Sequence, residues 1–91
     1  MPMKSNIIIT GSNISNNNTA IGFESLKVNT VNNNTAIGYN SLINNDIGIE
    51  NTAIGSNALD SNVSGNNNTA VGFNSLSTNT SGIGNTSIGS R

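Results

Sequence analysis

The chain has no cysteine, no histidine and no tryptophan, and very little that is charged or aromatic. Without cysteine and histidine it has no thiol nucleophile, imidazole base or disulfide, and no zinc or iron–sulfur site built on those ligands. The lack of cysteine is silent on redox compartment, because oxidising and reducing locations both tolerate it. Three basic and four acidic residues give a formal net charge of −1. No basic stripe is present to neutralise phosphates, so nucleic-acid binding is not expected. Long apolar runs are missing as well. Ile7-Ile8-Ile9 is the only run near the start, far short of a signal-peptide core, and no stretch could span a bilayer. Neither a conventional leader nor membrane insertion is therefore expected. Catalysis is not expected either.

At 91 residues the chain is one small domain at most. Asn, Ser, Gly and Thr supply 53 of those residues, 21 of them Asn. So polar and weakly charged a composition suits a chain unable to bury a core. Against that stand 12 Ile, 4 Leu and 4 Val, many at fixed spacing.

The spacing is an internal repeat. Asn18-Thr19-Ala20-Ile21-Gly22 recurs at Asn34 to Gly38, Asn51 to Gly55, Asn68 to Gly72 (with Val71) and Asn85 to Gly89 (with Ser87). The intervals are 16, 17, 17 and 17 residues. A leucine follows each of the first four glycines at the same distance (Leu26, Leu42, Leu59, Leu76), and three residues later an asparagine (Asn29, Asn45, Asn62, Asn79). Two-helix repeats need about 30 residues or more, and words rich in Gly, Asn and β-branched residues make poor helices. Brief alternation broken every few residues by Gly or Asn reads instead as short strands joined by tight turns.

These features predict an all-β fold: a parallel β-solenoid, or β-roll, with one 16–17-residue repeat per rung. Rungs would stack about 4.8 Å apart. Each is expected to hold two strands, one bearing Thr-Ala-Ile and one bearing the leucine. Residues 1–15 form an N-terminal lead and partial rung, and 16–91 the repeat solenoid. Stacking aligns identical residues into structural ladders. Ile21, Ile37, Ile54, Val71 and Ile88 are expected as one apolar column, with Leu26, Leu42, Leu59 and Leu76 as another. Asn18, Asn34, Asn51, Asn68 and Asn85 are expected as an amide ladder, each side chain donating to and accepting from the next. Gly22, Gly38, Gly55, Gly72 and Gly89 take turn positions with positive φ or admit another backbone closely. Thr19 and its equivalents are expected to point inward with the isoleucines.

Each rung offers about three apolar side chains, worth roughly 1.5–3 kcal/mol apiece. Ordering the backbone costs about 1–2 kcal/mol per residue. A lone stack is thinly supported, and a homo-oligomer is expected, with Ile54 and Leu59 of the middle rung carrying its packing.

The unit N-T-A-I-G-x-x-(S/A)-L resembles the head repeats of trimeric autotransporter adhesins of the YadA type, whose hallmark is a similar S-x-A-I-G word. It is also similar to N-T-A-I-G arrays in phage and bacterial tail-fibre-like proteins. The resemblance covers residues 16–91, with Ala20-Ile21-Gly22 and its counterparts matching the family word. Thr19 stands where the adhesin heads often carry Val. The resemblance implies a homotrimer of left-handed parallel β-rolls, displayed outside the cell or on a virion surface.

Both ends read as half rungs. Ile7 to Ser15 align with the back half of a unit, and residues 83–91 supply only a front half. The expected causes are a cut from a longer array or head-to-tail completion of one chain by the next. Glu24, Asp46, Glu50 and Asp60 share no template position, so neither a calcium ladder nor a converging acid–base pair is expected, and no cofactor or metal. Seven N-x-(S/T) sequons, such as those at Asn17, Asn33 and Asn67, are what this composition yields by chance. The expected function is a structural fibre or shaft module of a viral or bacterial appendage, of tail-fibre or adhesin type. Any host-receptor or glycan contact would lie on its exposed ladders. The alternatives are a self-polymerising extracellular filament and, more remotely, an ice-binding solenoid suggested by the Thr column.

Overall fold

The computed structural model describes residues 17–90; the expected lead at 1–15, with its partial rung, lies outside the described residues. Within them the chain winds into an all-β parallel solenoid of about four turns. Each turn contributes one three-residue strand: β1 (Thr19–Ile21), β2 (Thr35–Ile37), β3 (Thr52–Ile54), β4 (Thr69–Val71) and β5 (Thr86–Ile88). The strands form one sheet in chain order, every neighbour parallel and every repeat position in register, from Thr19 on Thr35 down to Val71 on Ile88. A one-residue slip would exchange alanine for Thr and Ile on the inner face, and the repeat thereby fixes the pairing.

Thr and Ile do share a face of the strand, but it is the outer one. Ala53 is 0% exposed, whereas Ile54 is 37% exposed. Ala20, Ala36 and Ala70 are buried like Ala53, and Ile21, Ile37, Val71 and Ile88 are all at least partly exposed. The column expected to fill the core is therefore a surface column, and the Thr column lies outward beside it. The reason is volume. The interior already holds Leu42 and Leu59, the amides of Asn34, Asn45, Asn51, Asn62 and Asn68, and the small Ser25, Ser41, Ala58 and Ser75. Opposite them the strand has room for a methyl group and no more.

The leucines are not on a second strand. Gly22 to Asn29 make two successive tight turns, closed by the Ser25 N–H donating to Gly22 O (3.4 Å) and the Asn29 N–H donating to Leu26 O (3.2 Å). Leu26, Leu42, Leu59 and Leu76 have φ of 52°, 49°, 53° and 52°, in the left-handed region. That conformation costs an L-residue about 1–2 kcal/mol, which burial of a leucine, about 1.5–3 kcal/mol, offsets. Bonding between rungs continues through the turns. Leu26, Leu42 and Leu59 donate their N–H groups to Ser41 O, Ala58 O and Ser75 O at 3.0–3.1 Å.

The glycine after each strand is required twice over. Gly22, Gly38, Gly55 and Gly72 have φ of 126–131°. A Cβ added at Gly55 would lie 2.6 Å from Gly72 O, backbone that cannot move aside without opening the stack. The first interval is one residue shorter than the others because Val31 O takes the place held later by the carbonyls of Gly48, Gly65 and Gly82. Asn29 Nδ2 donates to Val31 O two residues on, while Asn45 Nδ2 reaches Gly48 O three residues on.

Candidate functional site

The repeat places its polar side chains in two internal pillars. In the first, the Asn preceding each strand accepts from the backbone below. Asn18 Oδ1 takes the Asn34 N–H (2.9 Å), Asn34 Oδ1 the Asn51 N–H (3.0 Å), Asn51 Oδ1 the Asn68 N–H (3.0 Å) and Asn68 Oδ1 the Asn85 N–H (2.9 Å). Their amide groups mainly donate to a loop carbonyl rather than to one another: Asn34 Nδ2 to Gly48 O, Asn51 Nδ2 to Gly65 O and Asn68 Nδ2 to Gly82 O, at 2.7–2.9 Å. Asn68 Nδ2 also reaches Asn51 Oδ1 at 3.1 Å. The column is thus a side-chain-to-backbone clamp more than the mutual amide ladder expected.

A mutual ladder does form, one column over. Asn45 Nδ2 donates to Asn29 Oδ1 (2.7 Å), Asn62 Nδ2 to Asn45 Oδ1 (2.9 Å) and Asn79 Nδ2 to Asn62 Oδ1 (2.9 Å). The sequence carried its signal in the Asn three residues after each leucine, but no role followed from spacing alone. The small residue before each leucine was a second silent signal. Ser25 and Ser41 are buried and donate their hydroxyls to Gly22 O and Gly38 O at 3.1 and 3.0 Å.

The outer face carries what the interior excludes. Beside the Thr and Ile columns runs a column two residues further on: Phe23, Tyr39, Ser56 and Phe73. Phe23 and Tyr39 stack with centroids 5.9 Å apart and rings within 8° of parallel. Val28, Ile47, Ile49, Val63 and Ile83 are exposed around the loops.

The charged groups stay dispersed. Lys27 and Glu24 pair at 3.2 Å on the surface. Burial raises the Asp60 carboxyl above its ordinary range, opposed by hydrogen bonds from the Ser61 side chain and the Asp60 backbone. Among the described residues, no three acidic side chains come together to hold a metal ion, and no helix is long and apolar enough to cross a membrane. Asn40 Oδ1 is the one buried side-chain oxygen among them without a hydrogen-bond partner. No protein-family model, curated protein or solved structure matches the chain.

Proposed function

We propose that the chain is a self-assembling structural module of a viral or bacterial surface fibre, built as a homotrimer of parallel solenoids and contributing to attachment. The observation that carries this reading is the outward column Ile21, Ile37, Ile54, Val71 and Ile88, a run of apolar β-branched side chains in register on one sheet face. Continuous apolar surface of this kind, rimmed by polar residues, marks an interaction site. A chain with such a face gains by burying it against copies of itself, and the interior, built of Ala, Ser and Asn with one Leu per rung, gives it reason to. The likeness of the repeat to adhesin-head and tail-fibre units supports display on a cell or virion surface.

Native mass spectrometry and light scattering test the assembly. The expected result is a trimer at micromolar concentration that the double substitution Ile37→Glu, Ile54→Glu converts to monomer. A wild-type chain that is monomeric under those conditions overturns the reading. Negative-stain microscopy separates closed trimers from head-to-tail filaments.

The outward Thr column favours a second reading. Thr19, Thr35, Thr52, Thr69 and Thr86 stand in register on the same sheet face, a regular array of hydroxyl and methyl groups suited to an ice surface. The two uses compete for one face. An ice-binding chain would leave it open as a monomer and show thermal hysteresis, which a trimer packed through the Ile column would not.

A further inference from the structure

The aromatic column is interrupted at Ser56, between Tyr39 and Phe73. Phe23, Tyr39, Ser56 and Phe73 occupy one position in four successive rungs. The Asn40 N–H donates to Phe23 O (3.1 Å), the Asn57 N–H to Tyr39 O (2.8 Å) and the Asn74 N–H to Ser56 O (3.0 Å), which ties each rung to the next at this point. The three aromatic residues are 44%, 51% and 53% exposed. Where two rings are adjacent, at Phe23 and Tyr39, they stack nearly parallel. At Ser56 the stack misses a member. Tyr39 and Phe73 are then two rungs apart, about 9.6 Å at the ordinary ladder spacing. A ring at the Ser56 level, placed as Phe23 and Tyr39 are relative to each other with centroids 5.9 Å apart, would lie inside the range of about 4.5–7 Å at which rings stack.

We propose that this notch, walled by Tyr39 and Phe73 and floored by Ser56, binds a neutral pyranose ring of a carbohydrate. A pyranose offers apolar C–H faces to the two aromatic rings and hydroxyl groups at its edge. Asn40, Asn57 and Asn74 follow Tyr39, Ser56 and Phe73 in the chain, and each carries an amide that both donates and accepts. The charge pattern selects neutral over anionic sugars, because no Lys or Arg occurs between residues 28 and 90. The assignment deepens the attachment part of the proposed function by naming a ligand class. Binding at the notch does not itself require that function.

The chain reports on its own notch, since Tyr39 is the only tyrosine and tryptophan is absent. Titration of the full chain with cellohexaose, maltohexaose and chitohexaose, followed by tyrosine emission, is expected to give a saturable change with at least one sugar. Ser56→Phe supplies the missing ring, with the residue type found at this position in two other rungs, and is expected to weaken binding at least tenfold. Phe73→Ala removes one wall while keeping the reporter, and is expected to weaken it severalfold. Circular dichroism verifies that both variants keep the β spectrum. The proposal is overturned if none of the three sugars gives a saturable response, or if Ser56→Phe binds with the wild-type midpoint. Light scattering on the same samples keeps the two readings apart. A trimer that ignores sugars refutes the notch alone, and a monomer that binds them refutes the trimer alone.

Discussion

The strand side and the turn side of each rung treat their largest apolar residue in opposite ways. On the strand side Ile21, Ile37 and Ile54 point outward and alanine is buried; on the turn side Leu42 and Leu59 are wholly buried. Hydrophobicity does not separate the two. What separates them is the shape of the backbone that presents them. A three-residue strand offers its inner face only at the middle residue, and that residue lies against an interior already filled by amides. A leucine in the left-handed turn faces inward, and Leu42 and Leu59 are buried there. This solenoid is held by hydrogen-bonded pillars with a narrow apolar seam, and its Ile column stays on the surface of the single chain.

The contrast is broken most directly by putting the same kind of insult on each side. Leu59→Asp places an unpaired charge in a fully buried position, and a loss of more than about 4 kcal/mol is expected, enough to unfold the middle rungs. Ile54→Thr exchanges one β-branched residue for another on the outer face and is expected to cost the fold of a single chain no more than about 0.5 kcal/mol. Its effect should appear in association instead. Thermal melts by circular dichroism, with light scattering alongside, read both. If Ile54→Thr unfolds the chain as readily as Leu59→Asp, the outer placement of the Ile column is wrong.

A smaller effect sharpens the claim that amides, rather than apolar area, hold the interior. Asn62→Leu keeps the volume and adds apolar surface, so a core of ordinary type would tolerate it. Here it removes the donor to Asn45 Oδ1 and the acceptor of Asn79 Nδ2. Leaving a buried amide oxygen unpaired is expected to cost about 2–3 kcal/mol. An Asn62→Leu chain that melts at or above the wild-type temperature would show that the pillar is dispensable.

The period, the register and the parallel stacking were legible in the sequence because five copies of one word at nearly constant spacing admit few other arrangements. The burial of the leucines was legible for the same reason. Three features were not. The direction of the Ile column was hidden because alternation in Thr-Ala-Ile says that Thr and Ile share a face without saying which face is inside. The turn conformation of Leu26 and its mates was hidden because leucine has no local preference for positive φ, and only tertiary burial holds it there. The ladder of Asn29, Asn45, Asn62 and Asn79 was visible as a pattern, yet choosing between two asparagine columns for mutual pairing needs the rung's cross-section.

Asp60, next to buried Leu59, lies on the boundary between the two sides and gives the finest test. Burial pushes its carboxyl up, while hydrogen bonds from the Ser61 side chain and the Asp60 backbone pull it back in part. A carboxyl whose pKa is higher folded than unfolded is a cost to the folded state once ionised. The chain should therefore gain a little stability as pH falls through the region just above the ordinary aspartate value of about 3.9, where the folded form takes up the proton first. Asp60→Asn removes that charge and with it this slope. At pH 7 the variant is expected to melt at the wild-type temperature or slightly above it, in keeping with a position occupied by Lys27, Ile43 and Ser77 in the other rungs. Near pH 4 the two should converge. Melting curves at the two pH values decide it: if the wild type instead loses ground to Asp60→Asn on acidification, the carboxylate is stabilised in the folded chain and its environment is more polar than its burial implies.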